Sequence, residues 1–298
     1  MEKRKTYNKP NSQYQKIFSI LDRDVLCMHR NDDLLHTATA PLHNHDGYEI
    51  LLFLHGEIDY YVESGGKKLE HGEVILTTPY AFHCAIAQPG ETYERILINI
   101  KDSYLNTLCS KNTDLAFCFR RLSANMLNSC MLTESEIHDF IATAHKLQHE
   151  IDCPGYGSDL LIPALLTQIL VFLNQKTIDN PFSAQQSFMP KIVTDTISYV
   201  NGNFQDDVSL ATVAAHLHHN GNYISRRFKE VTGTTLQQFI IAKRITMAQK
   251  YLREGSSVND ACYMSGFSSY ANFSRCFSNH IGMSPKQYQT TYTMHLSV

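Results

Sequence analysis

Hydrophobic and polar positions along this chain change period twice. From about Val25 to Ile100 short apolar runs are broken by turn residues. Glu49-Ile-Leu-Leu-Phe-Leu, Ile58-Asp-Tyr-Tyr-Val and Val74-Ile-Leu-Thr-Thr read as strands, and Gly56, Gly65-Gly66, Gly72 and Pro89-Gly90 punctuate them. Short strands at this spacing predict a sandwich or a small barrel. From Tyr104 to Lys176 the period is helical. Thr133-Glu-Ser-Glu136 has the spacing of a capping box, in which the hydroxyl and the carboxylate each satisfy a free backbone N–H. Behind it Ile137, Phe140, Ile141, Ala144, Leu147 and Ile151 share one face. A second apolar helix is expected over Leu160–Leu173, with Pro163 near its first turn, where a missing N–H costs least. These helices need a covering surface, and spacing leaves open whether the strands or a second subunit provide it. Ile178 to Pro190 carries two prolines and little period, and reads as a linker.

Beyond the linker the chain repeats itself. Ser225-Arg226-x-Phe228-x4-Gly233-x-Thr235-x3-Phe239 returns as Ser274-Arg275-x-Phe277-x4-Gly282-x-Ser284-x3-Tyr288, offset by 49 residues throughout. Fixed spacing means that one supersecondary unit is built twice. In the first copy Ser209 caps a helix burying Leu210, Val213, Ala214 and Leu217, and Asn220 caps a second carrying Ile224 and Phe228 inward. In the second, Ser257 with Asp260 caps a helix, Gly266-Phe267 turns, and Ser269 starts a helix burying Phe273 and Phe277. Two short helices around a tight turn form a helix-turn-helix, and Gly233 and Gly282 stand where helices end left-handed. Leu236 to Leu252 reads as one connecting helix. Such a connector sets the separation of two recognition helices, which must be about 34 Å to enter successive major grooves.

Charge adds to this picture. The chain of 298 residues has a net charge of −3. Residues 1–190 carry a balance of −7 and residues 191–298 one of +4, so the basic end is the one suited to a polyanion. The eight cysteines are scattered without a CxxC pair, which fits free structural thiols better than a disulfide framework or a zinc site. No uninterrupted apolar run approaches the ~20 residues of a membrane span, and the polar, basic start has no apolar export core. A cytoplasmic protein without a membrane partner is expected.

The stretch Ala248-x2-Tyr251-Leu252, then Gly266-Phe267-Ser268-Ser269-x2-Asn272-Phe273-Ser274-Arg275-x-Phe277, ending Gly282-Met283-Ser284-Pro285-x2-Tyr288, resembles the DNA-binding domain of the AraC/XylS family of bacterial regulators. The resemblance implies base-facing positions at Asn222, Ser225 and Arg226 in the first unit and at Ala271, Ser274 and Arg275 in the second. Arg offers a fork to guanine, Asn can pair with adenine, and Ala can touch a thymine methyl. Arg227, Lys229 and Lys243 become phosphate candidates, and Arg244 a structural arginine. The competing reading of each is an ordinary solvated helix residue. Three features depart from the family: Asn220-Gly221-Asn222 at the helix start, Ser278-Asn279 where lysines are usual, and small or polar Ala261, Cys262 and Ser265 in the second unit.

His43-x-His45-x3-Glu49-x6-Gly56, then Gly72-Glu73 and Pro79-x3-His83, resembles the cupin barrel that precedes this domain in many family members. The implied effector pocket comprises His43, His45, Tyr48, Glu49, Tyr60 and His83. In enzymatic cupins the positions of His43, His45, Glu49 and His83 hold a metal; the expectation here is a metal-free, cofactor-free pocket. Tyr61 and Phe82 are further aromatics that either stack on a ligand or fill the core.

The expected fold is α+β. It comprises a cupin-like β-barrel (1–103), a helical dimerisation region (104–177), a linker (178–190), and an all-α domain of two helix-turn-helix units on a linker helix (191–298). The expected function is a regulator, not an enzyme, binding double-stranded DNA as a homodimer under control of a small effector, a carbohydrate among the candidates. RNA polymerase is a further expected partner. The alternatives are a metal-dependent cupin enzyme with a DNA-binding appendage, and an effector-free dimeric DNA-binding protein.

Overall fold

The computed structural model describes residues 18–19, 23–33, 40–63, 65–87, 90, 92–120, 128–179 and 189–294. Residues 180–188 of the expected linker, and Pro89, lie outside the described residues. The strands are β1 (Phe18–Ser19), β2 (Val25–Asp33), β3 (Ala40–His45), β4 (Gly47–His55), β5 (Ile58–Val62), β6 (Gly65–Lys68), β7 (Glu73–Thr77), β8 (His83–Ala87), β9 (Thr92–Lys101) and β10 (Ser129–Met131). The helices of the N-terminal part are α1 (Asp102–Leu108), α2 (Phe117–Arg120), α3 (Glu134–Asp152) and α4 (Ser158–Asp179). Those that follow are α5 (Lys191–Asn203), α6 (Leu210–Leu217), α7 (Gly221–Thr232), α8 (Leu236–Arg253), α9 (Val258–Met264), α10 (Tyr270–Ile281) and α11 (Pro285–Met294).

The strands form two five-stranded sheets, in the orders β1-β3-β8-β5-β6 and β10-β7-β4-β9-β2. No closed barrel is found among the described residues. β4 explains why its sequence is nearly all apolar. Ile50, Leu52 and Leu54 enter a core shared with α3 and α4. Leu51 and Phe53, on the opposite face, enter a second core with Ile58, Tyr60 and Ala85 of the other sheet. A strand buried on both faces loses the alternation that a half-exposed one shows.

α3 starts with the expected capping box at Thr133 and Glu136, and buries Ile137, Phe140, Ala144 and Leu147. The question of its covering surface is answered on one side: it packs on the β4 sheet and on α4. α4 begins at Ser158 rather than near Leu160, so Pro163 lies inside the helix and not in its first turn. The proline leaves one carbonyl of the preceding turn without its N–H partner. β10 was not foreseen within the helical stretch. It is only three residues long and is recruited by the edge of β7, with Cys130 opposite Val74, a pairing too short to leave a period-2 signal.

One helix, Ser158–Ile178, is long and apolar enough to cross a membrane by length and composition, although Thr167 and Gln168 interrupt its apolar run. Here Leu166, Ile169, Leu170 and Leu173 are buried in the protein core. The buried Asn174 side chain accepts from the Cys118 N–H and donates to the Leu115 and Leu170 carbonyls.

In the C-terminal part α8 organises two cores. Its first half gives Leu236, Phe239, Ile240 and Ala242 to a cluster with Val193, Ile197, Val213, Ile224 and Phe228. Its second half gives Ile245, Ala248 and Leu252 to a cluster with Ala261, Cys262, Phe273, Phe277 and Tyr288. Each expected cap forms: Ser209, Asn220, Ser257 and Ser269 accept from first-turn N–H groups, and Gly233 and Gly282 end α7 and α10 left-handed.

Candidate nucleic-acid interface and histidine pocket

α7 and α10 are the second helices of their units, and the same logic positions both. Ile224 and Phe228 on α7, and Phe273 and Phe277 on α10, turn inward at i and i+4. The opposite face of each helix is thereby fixed outward. On α7 it presents exposed Asn222 and Arg226 with half-buried Ser225; on α10 it presents exposed Ala271 and Arg275 with half-buried Ser274. The spacing i, i+3, i+4 puts each trio on one stripe. The two stripes flank an 18-residue helix, about 27 Å long at 1.5 Å per residue.

Charges around these stripes are unequal. Arg226 and Arg227 both reach Glu230, at 3.7 and 2.8 Å, and Lys229 is exposed beside them. Arg275 donates to Asn272 at 3.0 Å. Lys243 lies half-buried on α8. Arg244 is structural as expected: it donates to the Phe204 and Asp206 carbonyls at 2.9 and 2.7 Å, tying the α5–α6 connection to α8. The three small or polar residues of the second unit are fully buried, and the Ser265 hydroxyl bonds the Ala261 carbonyl at 2.6 Å.

The predicted pocket residues divide by strand alternation. Glu49 of β4 faces the other sheet. Its carboxylate lies 3.2 Å from His45 Nε2 and 3.6 Å from His83 Nε2, accepts from the Tyr60 hydroxyl at 3.0 Å, and accepts from Asn99 at 3.4 Å. The His43 ring lies tilted against that of His83, centroids 4.3 Å apart, and its Nδ1 donates to the Pro41 carbonyl at 2.9 Å. Tyr48, one residue before Glu49, points the other way and packs on Phe119 at 4.6 Å. It is a core residue remote from the histidines. Tyr61 and Phe82 also leave the pocket and join the α8 core, Phe82 lying 5.0 Å from Phe239.

Burial by itself would raise the Glu49 carboxyl, but the charge of His83 and the hydrogen bond from His45 hold it well below the usual range. His83 is conversely raised, because Glu49 outweighs its burial. Burial first, and then His83, push His43 down to about 3, so its imidazole is neutral near pH 7. One ligand atom each from His45, Glu49 and His83 lies within 4.8 Å of the others, and His45 Nδ1 and His83 Nε2 are buried without a hydrogen-bond partner. Two imidazoles and a carboxylate suit a divalent transition metal. The donor set fits such an ion as a trio, with His43 beside it.

Sequence reasoning missed the residues that join the two halves. Asn44 Nδ2 donates to the Thr246 hydroxyl of α8 at 2.9 Å and to the Tyr80 carbonyl at 3.0 Å. The Tyr292 hydroxyl donates to buried Asp46 at 3.3 Å, and Asn201 of α5 donates to Glu63 at 3.3 Å. The only available signal was that Asn44 and Asp46 alternate with His43 and His45 on one extended segment.

A family profile described as a helix-turn-helix domain matches residues 213–291. The melibiose operon regulatory protein of Escherichia coli (strain K12) is 30% identical over 122 residues, covering 41% of this chain and 39% of that protein. The chain thus aligns with well under half the length of that relative. The HTH-type transcriptional activator RhaS of Escherichia coli O81 (strain ED1a) is 23% identical over 256 residues, 84% of this chain and 87% of that one. Among solved structures, the fatty-acid-bound ToxT from Vibrio cholerae strain SCE256 shares 16% identity at a TM-score of 0.39, over 88% of this chain and 94% of that one. The two Escherichia coli relatives are named as regulators, and the profile falls on the duplicated unit that α8 divides. Residues 213–291 thus match a helix-turn-helix domain, and the chain is similar to helix-turn-helix transcription regulators.

Proposed function

We propose that this chain is a cytoplasmic, sequence-specific DNA-binding regulator whose activity is set by a small effector in a cupin-like pocket between the two sheets. One observation carries the DNA-binding reading: outward trios at equivalent positions of α7 and α10, held at the two ends of one helix. Arg226 and Arg275 then read base edges, while Arg227, Lys229 and Lys243 meet phosphates. The relatives' names, a melibiose operon regulatory protein and a transcriptional activator, support a carbohydrate-linked operon and transcription activation. Exposed Leu160, Leu161 and Ile178 on α4 support a homodimer through the α3–α4 hairpin.

The route from effector to DNA runs along one segment. His43 and His45 face the pocket, and Asn44 bonds α8. An occupant that moves the histidines shifts a contact on the helix spacing the two units, which is a difference in affinity between two arrangements.

The test is selection of bound duplexes with the full-length chain, then titration against random competitor. A preferred duplex is expected, and Arg226→Ala should weaken it by about 1–3 kcal/mol and relax one base position. Equal binding of selected and random duplexes overturns the reading. The trio of His45, Glu49 and His83 favours a second reading of the occupant, a divalent transition metal. Metal content of chelator-free purified protein, compared with His83→Gln, separates it from an organic effector.

A further inference from the structure

A second cavity, with none of the pocket histidines in its lining, lies between the two halves of the molecule. It is a cleft of about 650 Å³, within the range of small-molecule sites. The β-sheet half supplies Asp46, Tyr80 and Lys101 and the start of α1; the DNA-binding half supplies Lys250 and Arg253 from the end of α8 and Tyr292 from α11.

Arg253 is the informative residue. Its guanidinium stacks over the Tyr80 ring at 4.3 Å. Its Nε is buried without a hydrogen-bond partner, and no ion pair to it is found among the described residues. Burial disfavours its charge, but the Tyr80, Tyr288 and Tyr292 phenols and the Asp46 carboxylate outweigh that, and with no carboxylate paired to it directly its Nε–H can still serve an anion. The neighbouring cations are held only loosely: Lys250 stands 3.9 Å from Glu254, and Lys101 is 3.4 Å from Asp24. The rest of the wall is of another kind. Asp46, Asp102, Ser103 and Asn106 offer oxygen and amide groups to hydroxyls, and Tyr80 and Tyr292 offer ring faces to a sugar-like carbon skeleton.

We propose that this cleft binds a small polyhydroxylated organic anion, a sugar phosphate or a sugar acid, with its charged group on Arg253 and Lys250 and its hydroxyls on the carboxylates opposite. The site goes beyond the histidine pocket and does not depend on it. Because the walls come from both halves, a bound anion ties the end of α8 to the β-sheet half. Ligand in the cleft therefore favours the docked arrangement over any arrangement in which the two halves separate.

The test is calorimetric titration of the full-length chain with glucose 6-phosphate, gluconate and uncharged glucose. Saturable binding of at least one anion, with glucose inert, is expected. The phosphate and carboxylate arms tell which head group the cleft takes. Arg253→Gln should weaken that anion by about tenfold or more and Lys250→Gln by several-fold. His83→Gln should leave it unchanged, and so separates this site from the histidine pocket. Lys250 is well exposed, so its variant decides the matter if Arg253→Gln does not fold. Absence of binding by both anions, equal binding of glucose, or loss with His83→Gln but with neither cleft variant overturns the proposal.

Discussion

Gly266 sits in the turn of the second unit with φ +87°, and a Cβ there would lie 2.3 Å from the Phe204 carbonyl oxygen. That oxygen also accepts from Arg244, so it cannot retreat without releasing the arginine. Gly282 has a similar φ of +85° but open space around it. Gly266→Ala should therefore destabilise the chain by more than about 2 kcal/mol, against about 1 kcal/mol for Gly282→Ala, read from urea midpoints. Equal losses would refute the steric account. His280 of α10 gives a pH signature. Burial lowers its pKa, although its Nδ1–H donates to the Cys276 carbonyl at 2.7 Å. Below its ordinary value of 6.5 the unfolded chain takes up a proton that the folded imidazole resists, so stability falls as pH drops. His280→Gln should flatten the fall in urea midpoint between pH 6.5 and about 5; an unchanged slope would show that His280 does not contribute. At this scale the sequence displayed residue types but not directions. Tyr48 and Glu49 were equally plausible pocket residues, and only the facing of β4 sends one to the core and the other to the histidines.

Among the elements, α7 and α10 are near copies in caps, inward aromatics and glycine ends, and all of this was legible because it is local. They differ in charge. Ser278 and Asn279 occupy the positions that Lys229 and Glu230 hold in the first unit. Replacing both with lysine should tighten duplex binding and steepen its salt dependence by about 1–2 in log–log slope; unchanged affinity would mean that this end of α10 does not approach phosphate. The α3–α4 hairpin was legible on its buried side only. Its period showed one apolar face, while Leu160, at 71% exposed, and Leu161 remain uncovered in a single chain. Glutamate at both should shift sedimentation from dimer to monomer with helical content retained. A wild-type chain that sediments as a monomer would remove the basis for the dimer proposal.

For the molecule as a whole, the contact between halves is the feature with consequences. Asn44 to Thr246 spans 202 residues and is buried. A double-mutant cycle of Asn44→Ala and Thr246→Val should show a coupling of about 0.5–3 kcal/mol in unfolding free energy. Additive losses would mean that the two halves do not sense each other through this bond. The amino-acid sequence by itself determined the repeated unit, its caps and turns, the shared helix and the change from strand to helix. Each of these is written in spacings of a few residues, where local sterics and hydrogen bonding decide. Tertiary structure alone decided that β4 is buried on both faces, that three of the pocket residues converge on Glu49 while Tyr48 does not, and that the two halves enclose a cleft around Arg253. Those outcomes depend on which surfaces meet across more than a hundred residues of chain, and no periodicity encodes that.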